Sequence, residues 1–329
     1  MEILKKLHST VVAPGKLPEI KETALMWADT AKPALPEEAW KKLRSLVEAV
    51  PRNDHMVHGD YHTKNLMRQG NEALLIDMDT LSVGDPVFEL GNMYNAYLGF
   101  YELDHDAIRS FQGFDYDTGR TFWEKALSAY LGTTNRRKLR EVTDKARVLG
   151  YMRLISRSVR HGLSETDKGR REIAHWRQAL VGLLEHMDTL TFHPNELELE
   201  AVQENLAEVQ AFVDEHLEAA DCPPKAQMQI GVAVEEIFVN ISSYAYHPEN
   251  GSATVRVEVS EEPVSVTITF LDHGVPYDPL AKRDPNVRLS ADARDIGGLG
   301  IFMTKKLMDD MSYEYRDGQN ILTLKKNLL

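Results

Sequence analysis

The pattern of apolar and polar positions changes near residue 190. Before that point, residues 36–50 and the long segment 85–187 repeat apolar residues at helical spacing. Between them, the short apolar run 73–76 can pair with 65–68 across a turn, which predicts a two-stranded hairpin. The helical periodicity stops around 189–194, and we place a domain boundary there.

After the boundary, strand-like alternation joins the helical spacing. In Val264, Val266, Ile268 and Phe270 every second residue is apolar, which is typical of a strand with one buried face. The predicted elements are, in order, helices at 195–219 and 226–246, strands at 254–259 and 264–270, a helix at 299–311 and a hairpin of 313–315 with 321–324. The predicted fold class is therefore α+β: a mostly helical domain at 1–187, then an α/β sandwich with a mixed sheet at 192–329.

Composition and charge exclude several classes of protein. At 329 residues the chain is too long for one ordinary core, and its net charge of −13 argues against a nucleic-acid or anionic-membrane surface. Cys222 is the only cysteine, so neither an internal disulfide nor a thiolate zinc site can form. No apolar run is long enough for a signal peptide or a membrane span, so we expect a cytoplasmic protein without nucleic-acid or membrane partners.

Residues 58–67, HGDYHTKNLM, carry groups suited to phosphate transfer, and the strand end LLIDMDT follows them. Such a reaction needs a carboxylate at the attacking hydroxyl and oxygen ligands for magnesium. Asp60 suits the first role, while Asn65, five residues later, and Asp77, after the strand, suit the second. This spacing predicts a kinase-type catalytic loop.

Together these motifs resemble the larger lobe of the aminoglycoside phosphotransferase and choline kinase-like enzymes, over residues 1–187. The resemblance implies that Asp60 is the catalytic aspartate and that Asn65 and Asp77 hold Mg²⁺. Residues 1–57 contain neither the glycine-rich loop nor the phosphate-binding lysine of that family, so we expect its smaller lobe to be absent. Whether the first domain transfers phosphate or is a folded, non-catalytic remnant stays open.

A second candidate nucleotide site begins on the predicted helix 226–246. Glu236 and Asn240 are four residues apart and therefore share one helix face. A carboxylate one turn from an amide suits a site in which one group polarises a nucleophile and the other helps to hold magnesium. Downstream, Asp272 ends a strand and can accept from an adenine amino group, while Gly274 lets the backbone approach a flat base.

Three glycines lie at or just before the start of the helix predicted at 299–311. Gly297, Gly298 and Gly300 expose backbone N–H groups where a helix begins, which favours anions, and Lys305 adds positive charge nearby. Each of these motifs alone also fits an ordinary helix face or turn. Their order along the chain, E-x-x-x-N, D-x-G-x-P and then G-G-L-G, is what indicates a nucleotide site.

This order resembles the GHKL ATPase fold over residues 192–329 and, within that class, the anti-sigma-factor serine/threonine kinases. The resemblance implies that Glu236 is the catalytic residue and Asn240 the magnesium ligand. It implies that Asp272 and Gly274 bind adenine. It also implies that the phosphates lie at Gly298 and Gly300, with Gly297 and Lys305 beside them. It also implies an ATP lid at 277–296. Histidine kinases share the fold, but His216 lacks the long helical hairpin that carries their phosphoacceptor.

We therefore interpret the chain as an ATP- and Mg²⁺-dependent protein serine/threonine kinase of the anti-sigma type. The resemblance implies that its substrate is a serine on a small STAS-like antagonist protein and that a sigma factor is a further partner, and a homodimer stays open. One alternative is a regulator that binds ATP or a partner without catalysis. Another is a small-molecule phosphotransferase that acts through the first domain.

Overall fold

The chain folds into two compact units, Met1–Phe192 and His193–Leu329. The computed structural model describes residues 1–70, 72–261, 264–281 and 299–328. Most of the expected lid, 282–296, and the expected site residues Gly297 and Gly298 lie outside the described residues. The chain combines many helices with β-sheets, which confirms the α+β class.

The first unit is mainly helical and is built around one apolar core. Its helices are α1 (Glu2–Ser9), α2 (Ile20–Ala31), α3 (Glu37–Ala49), α4 (Pro86–Tyr97), α5 (Ala107–Gln112), α6 (Tyr116–Leu131), α7 (Arg136–Arg160) and α8 (Asp167–Glu185). Asp85 caps α4 by accepting the Val87 N–H at 2.9 Å, and Pro86 takes the first helical position, where no N–H is needed. Because α4 is buried on all sides after Pro86, it forms the centre of this unit.

Two small antiparallel sheets carry the kinase-like motif. The strands are β1 (Met56–Val57), β2 (Leu66–Gln69), β3 (Glu72–Leu75) and β4 (Ser82–Val83). β1 pairs with β4, and β2 pairs with β3, which confirms the predicted hairpin. The loop 58–65 therefore connects two strands that are each anchored by a partner.

A five-stranded sheet with helices packed on it forms the second unit. Its elements are β5 (Glu196–Glu200), α9 (Leu206–Ala219), α10 (Pro224–Asn240), β6 (Ser252–Glu261), β7 (Val264–Asp272), α11 (Leu299–Leu307), β8 (Asp310–Arg316) and β9 (Gln319–Asn327). The strand order is β5-β6-β7-β9-β8. Every described pairing is antiparallel, in contrast to the expected mixed sheet. The reason is connectivity: β6–β7 and β8–β9 are hairpins, and the two helices between β5 and β6 return the chain in the opposite direction.

Strand β5 corrects the sequence prediction, which expected a helix throughout 195–219. Leu197 and Leu199 are buried, whereas Glu198 and Glu200 are exposed, so the period here is two. The strand pairs with β6 along its whole length, and the helix begins only at Leu206. The acidic side chains of β5 also discourage further pairing at this sheet edge.

The helices beside the expected nucleotide site differ slightly from their predicted lengths. α10 continues into a single π-helical turn, Ile241–Ala245, so the helical run reaches almost to the expected end at 246. α11 ends at Leu307 rather than at 311, because β8 begins at Asp310. Along the described residues, each helix is too short or too polar to cross a lipid bilayer.

Candidate functional site

Glu236 and Asn240 form a hydrogen-bonded pair on α10. The Asn240 Nδ2 donates to the Glu236 backbone oxygen at 2.6 Å and to its carboxylate Oε1 at 3.0 Å. Because the amide nitrogen points at Glu236, the amide oxygen of Asn240 remains for another partner. Because the two residues are four apart on one helix, Asn240 fixes the Glu236 carboxylate and keeps its own amide oxygen next to it as a potential ligand.

The first turn of α11 lies against this carboxylate. A Cβ at Gly300 would overlap the Glu236 carboxylate, so a residue larger than glycine would displace it. The N-terminal turn of a helix carries partial positive charge and favours anionic groups. Lys305 was expected near the glycines, but it lies in the last turn of α11, about 1.4 turns from Gly300. There its charge complements the C-terminal end of the helix dipole.

Asp272 ends β7 as a buried carboxylate. Its Oδ1 accepts from the Gly274 N–H at 2.9 Å and from the Asn320 Nδ2 at 2.8 Å. Burial raises the pKa of Asp272, and these two hydrogen bonds oppose that rise. Its Oδ2 has no hydrogen-bond partner among the described residues, and it can accept from an N–H group of a ligand.

Asn320, on β9, fixes the orientation of this carboxylate. Its side chain is 6% exposed, and its Oδ1 accepts from the Tyr313 hydroxyl at 2.7 Å and from the Tyr277 N–H at 3.3 Å. These contacts hold the amide so that Nδ2 can point only at Asp272 and the neighbouring carbonyl groups. The position of Asp272 therefore depends on a residue from a different strand.

Gly274 lets the end of β7 approach the π-helical turn. A Cβ at Gly274 would overlap the Ala245 backbone oxygen, and the next residue, Val275, donates its N–H to that oxygen at 2.8 Å. The space that glycine provides is thus filled by backbone of the same domain in this structure. The contact joins the helix that carries Glu236 and Asn240 to the strand end that carries Asp272.

One cavity of about 500 Å³ lies between these elements, and Glu236 is not part of its lining but contacts the lining residue Asn240. Asn240, Asp272 and Asn320 form its polar parts, while Ile237 and Ile301 are among its apolar walls. The volume is typical of small-molecule sites, and the combination of apolar walls with a few buried polar groups is also typical. The cavity can therefore hold a planar base whose polar edge meets Asp272.

Oxygen donors suited to magnesium are present in each unit. The Asn240 amide oxygen in the second unit, and the Asn65 amide oxygen with the Asp77 carboxylate in the first, are hard ligands of the type that Mg²⁺ prefers. Mg²⁺ commonly binds through one or two protein groups together with phosphate oxygens and waters. In the part of the chain that the structure describes, no group of three or more His, Cys, Asp or Glu side chains is arranged to hold a metal ion.

In the first unit, Glu89 of α4 holds the kinase-like loop. Its carboxylate accepts the backbone N–H groups of His58, Gly59 and Tyr61 at 2.5, 2.9 and 3.1 Å. Glu89 is fully buried, and burial raises its pKa while the three amides oppose the rise. Asn92, one turn further on, donates to the Gly59 oxygen at 2.8 Å, so the loop backbone on both sides of Gly59 is fixed.

The structure brings Asp60 and Asn65 together. Asn65 Nδ2 donates to the Asp60 backbone oxygen at 2.9 Å and lies 3.4 Å from its Oδ2, and His62 Nε2 lies 3.4 Å from the same carboxylate oxygen. The hydrogen bond with His62 lowers the pKa of Asp60, and the charge of Arg153 acts in the same direction. Asp60 is therefore held ionised, as a proton acceptor must be.

Asp77 is connected to this pair through its neighbour in sequence. The Ile76 N–H donates to the Asn65 backbone oxygen at 2.9 Å, and the Ile76 oxygen lies 3.0 Å from His58 Nε2. Asp77 itself is exposed and has a left-handed backbone, with φ 62° and ψ 64°. Such a conformation is uncommon for a residue other than glycine, and it turns the chain after β3 beside the loop.

Two family models match separate parts of the chain. Residues 199–326 match the model described as a histidine kinase-like ATPase domain. We name the second unit the ATPase domain after this similarity. Residues 2–123 match the phosphotransferase enzyme family. The two resemblances inferred from the motifs are confirmed.

The relatives are named protein kinases. Serine/threonine-protein kinase BtrW of Bordetella bronchiseptica is 29% identical over 100 residues, which are 30% of this chain and 70% of that protein. Serine-protein kinase RsbW of Listeria innocua is 29% identical over 99 residues, which are 29% of this chain and 62% of that protein. The match therefore spans less than two thirds of RsbW.

A solved structure also matches. The histidine kinase domain of the blue-light activated histidine kinase from Erythrobacter litoralis EL346 is 17% identical, and the match covers 61% of this chain and 96% of that domain. The TM-score between the two structures is 0.25.

Two buried groups that orient the motifs were missed from the sequence. Glu89 lies in the run PVFELGN, where a carboxylate among apolar neighbours must find hydrogen-bond partners. That signal could have identified it as a structural anchor. Asn320 is the second residue of β9, and nothing in its local sequence indicates the contact with Asp272, 48 residues away.

Proposed function

We propose that the ATPase domain transfers the terminal phosphate of Mg·ATP to a serine hydroxyl of a partner protein. The observation that carries this proposal is the Glu236–Asn240 pair beside a cavity that ends at the buried Asp272. The Asp272 end of the cavity suits the base, and the Asn240 end offers an oxygen ligand with the proton acceptor Glu236 in contact with it. Phosphoryl transfer needs both of these groups near one phosphate.

At the base end, the free oxygen of Asp272 would accept the adenine amino group. Guanine carries a carbonyl oxygen at the equivalent position, and it would face the carboxylate without a hydrogen between them. A site built to accept from a donor rejects an analogue that lacks the donor, because a buried polar group is then left unpaired. We therefore infer a preference for ATP over GTP.

At the phosphate end, Glu236 would act as the general base. Its Oε1 is occupied by Asn240, which leaves Oε2 to take the proton of the serine hydroxyl. As that proton moves, the serine oxygen bonds to the γ-phosphorus, and the bond to the bridging oxygen breaks to release ADP. Magnesium, held in part by the Asn240 amide oxygen, would neutralise phosphate charge.

The partners are inferred from the relatives. BtrW and RsbW are named serine or serine/threonine kinases, and the motif order resembles the anti-sigma kinases. We propose a small STAS-like antagonist as the phosphate acceptor and a sigma factor as a second partner. The acidic balance of the chain, −13 overall, agrees with protein partners rather than nucleic acid.

The test compares two neighbouring carboxylates. Glu236→Gln keeps the shape of the side chain and removes the base, whereas Glu235→Gln changes an exposed neighbour on the same helix. Phosphate transfer from labelled ATP to STAS-domain proteins encoded in the same genome is measured together with ATP affinity by calorimetry. We expect Glu236→Gln to bind ATP normally and to lose about 10²–10⁴-fold in transfer rate, with Glu235→Gln unchanged. Transfer by Glu236→Gln at the wild-type rate would refute the role of Glu236.

A second candidate activity is phosphate transfer by the first unit. It is favoured by the loop that Glu89 fixes and by the ionised Asp60 in contact with Asn65. Asp60→Asn separates the two activities, because it leaves the ATPase domain unaltered. Loss of ATP turnover in Asp60→Asn but not in Glu236→Gln would assign the chemistry to the first unit.

A further inference from the structure

A cavity of about 660 Å³ lies in the first unit. It is separate from the nucleotide cavity of the ATPase domain. Asp60 and His62 lie on its lining, and α7 contributes Arg153 and Arg157. Neither ATP binding nor transfer by the ATPase domain accounts for a cavity at this place.

The two arginines of this cavity have no carboxylate within ion-pair distance among the described residues, although the charges of Asp60 and Glu89 act on Arg153 from further away. Among the described residues, neither Arg153 nor Arg157 forms an ion pair, although they are four residues apart on one helix face. Like charges at this spacing repel each other and destabilise a helix unless an anion lies between them. The Arg153 guanidinium makes one long contact, 3.3 Å to the Gly59 oxygen, and covers the Trp27 ring at 5.0 Å from its centroid.

The other charged groups of the lining leave this positive charge in place. Lys168 and Glu172 lie 3.7 Å apart and largely offset each other. Asp60 is the remaining carboxylate of the lining, and its charge acts on Arg153, so Arg157 is the cation of the described lining that no carboxylate offsets. A net positive cavity attracts anions.

Aromatic side chains form the apolar part of the same cavity. Phe100 and Phe111 are 40% and 44% exposed, which is high for phenylalanine in a folded domain, and both face the cavity. The Arg157 guanidinium lies 5.6 Å from the centroid of the Phe100 ring, so a cation and an apolar surface are presented together. Exposed rings beside an unpaired guanidinium suit a ligand that has a flat apolar body and an anionic group.

We propose that this cavity binds a small organic anion, a carboxylate or phosphate ester on a planar apolar body, with its anionic group on Arg157 and its body against Phe100 and Phe111. The proposal goes beyond the kinase activity of the ATPase domain, because it requires neither ATP nor transfer. The first unit would then bind a ligand whether or not Asp60 acts as a catalytic residue.

Calorimetric titration of the full chain tests the proposal with three matched probes: benzoate, phenyl phosphate and the cation benzylamine. We expect one saturable site for each anion and none for benzylamine. Arg157→Gln should weaken anion binding by about tenfold, the effect of one charge-assisted hydrogen bond. Arg160→Gln is the control, because Arg160 is exposed on the same helix and is not part of the cavity lining; we expect its binding to stay within about twofold of wild type.

Further arms separate this site from the nucleotide site. Saturating Mg·ATP should leave benzoate binding unchanged, and Arg157→Gln should leave ATP binding unchanged. An unaltered melting temperature in Arg157→Gln shows that the variant is folded. Binding of benzylamine as tight as that of benzoate, equal benzoate binding by wild type and Arg157→Gln, competition with ATP, or no saturation up to about 20 mM would each overturn the proposal.

Discussion

Asn320→Ala is the sharpest test of the proposed adenine site, because it should alter base recognition while leaving the Asp272 carboxylate itself in place. Asp272 Oδ1 has two hydrogen bonds, and the substitution removes the one from Asn320 at 2.8 Å. It also leaves the Tyr313 hydroxyl without its acceptor. The Gly274 N–H remains, so the strand end should keep its fold while the carboxylate loses its fixed orientation.

The expected size of the effect follows from two contributions. A hydrogen bond to a charged group contributes about 1.5–3 kcal/mol. Burial already raises the pKa of Asp272, and the Asn320 contact is the first of the hydrogen bonds that lower it, so its loss raises the pKa further. A protonated Asp272 would present a donor where adenine needs an acceptor. Since 1.4 kcal/mol is a factor of ten, we expect ATP to bind about 10–100-fold more weakly.

Calorimetric titrations of Asn320→Ala with Mg·ATP, adenosine and tripolyphosphate show whether affinity is lost at the base or at the phosphates. We expect equal fold losses for ATP and adenosine, and no change for tripolyphosphate, because the contact lies at the base end. Asn327→Ala is the control, since Asn327 is exposed on the same strand. ATP affinity of Asn320→Ala within about twofold of wild type, or a loss seen with tripolyphosphate, would refute this account of the adenine site.

Three further predictions concern other contacts. Gly300→Ala should displace the Glu236 carboxylate and reduce phosphate transfer by at least about tenfold, whereas Gly231→Ala, whose Cβ has open space, should not. Glu89→Gln should lower the free energy of unfolding in urea by about 1–3 kcal/mol, because the NH₂ group of the new amide replaces an acceptor and leaves a buried backbone N–H without one. The same substitution at the exposed Glu124 should leave the free energy of unfolding unchanged. His8 is buried against Tyr130, and burial lowers its pKa to about 3, so the folded protein holds it neutral where the unfolded chain protonates it. The free energy of unfolding should therefore fall as the pH drops from 6.5 towards 3, by up to about 3 kcal/mol at pH 4.5. His8→Gln should show a smaller fall over the same pH range.

The parts of the fold that could be predicted are those whose signal is local. Glu236 and Asn240 are one helical turn apart, so their spacing alone predicts the contact that the structure contains. The strands β6 and β7 were predictable from alternation of buried valines and isoleucines. Strand β5 was not predicted, because its five residues ELELE are few and were assigned to the longer helical run that follows them, although every second residue is a buried leucine.

The parts that could not be predicted depend on partners distant in sequence. Asp272 needs Asn320, 48 residues later, and the loop at His58 needs Glu89, 31 residues later. Periodicity indicates which face of an element is buried, but not which residue of another element it meets. Lys305 illustrates the same limit, because proximity in sequence to the glycines suggested proximity in space, whereas 1.5 Å of rise per residue moves it to the far end of α11.

In each unit an asparagine contacts the proposed proton acceptor, Asp60 in the first unit and Glu236 in the second, although one unit is mainly helical and the other is a sheet covered by helices. In each, an asparagine Nδ2 contacts both the backbone oxygen and the carboxylate of the acid: Asn240 with Glu236 at 2.6 and 3.0 Å, and Asn65 with Asp60 at 2.9 and 3.4 Å. The amide oxygen is then left for a cation, and one carboxylate oxygen is left for a hydroxyl. An aspartate in place of the asparagine would also offer a metal ligand, but it would repel the neighbouring acid and raise its pKa. An asparagine can therefore place a neutral oxygen ligand beside an acid without repelling it, and each unit contains such a pair.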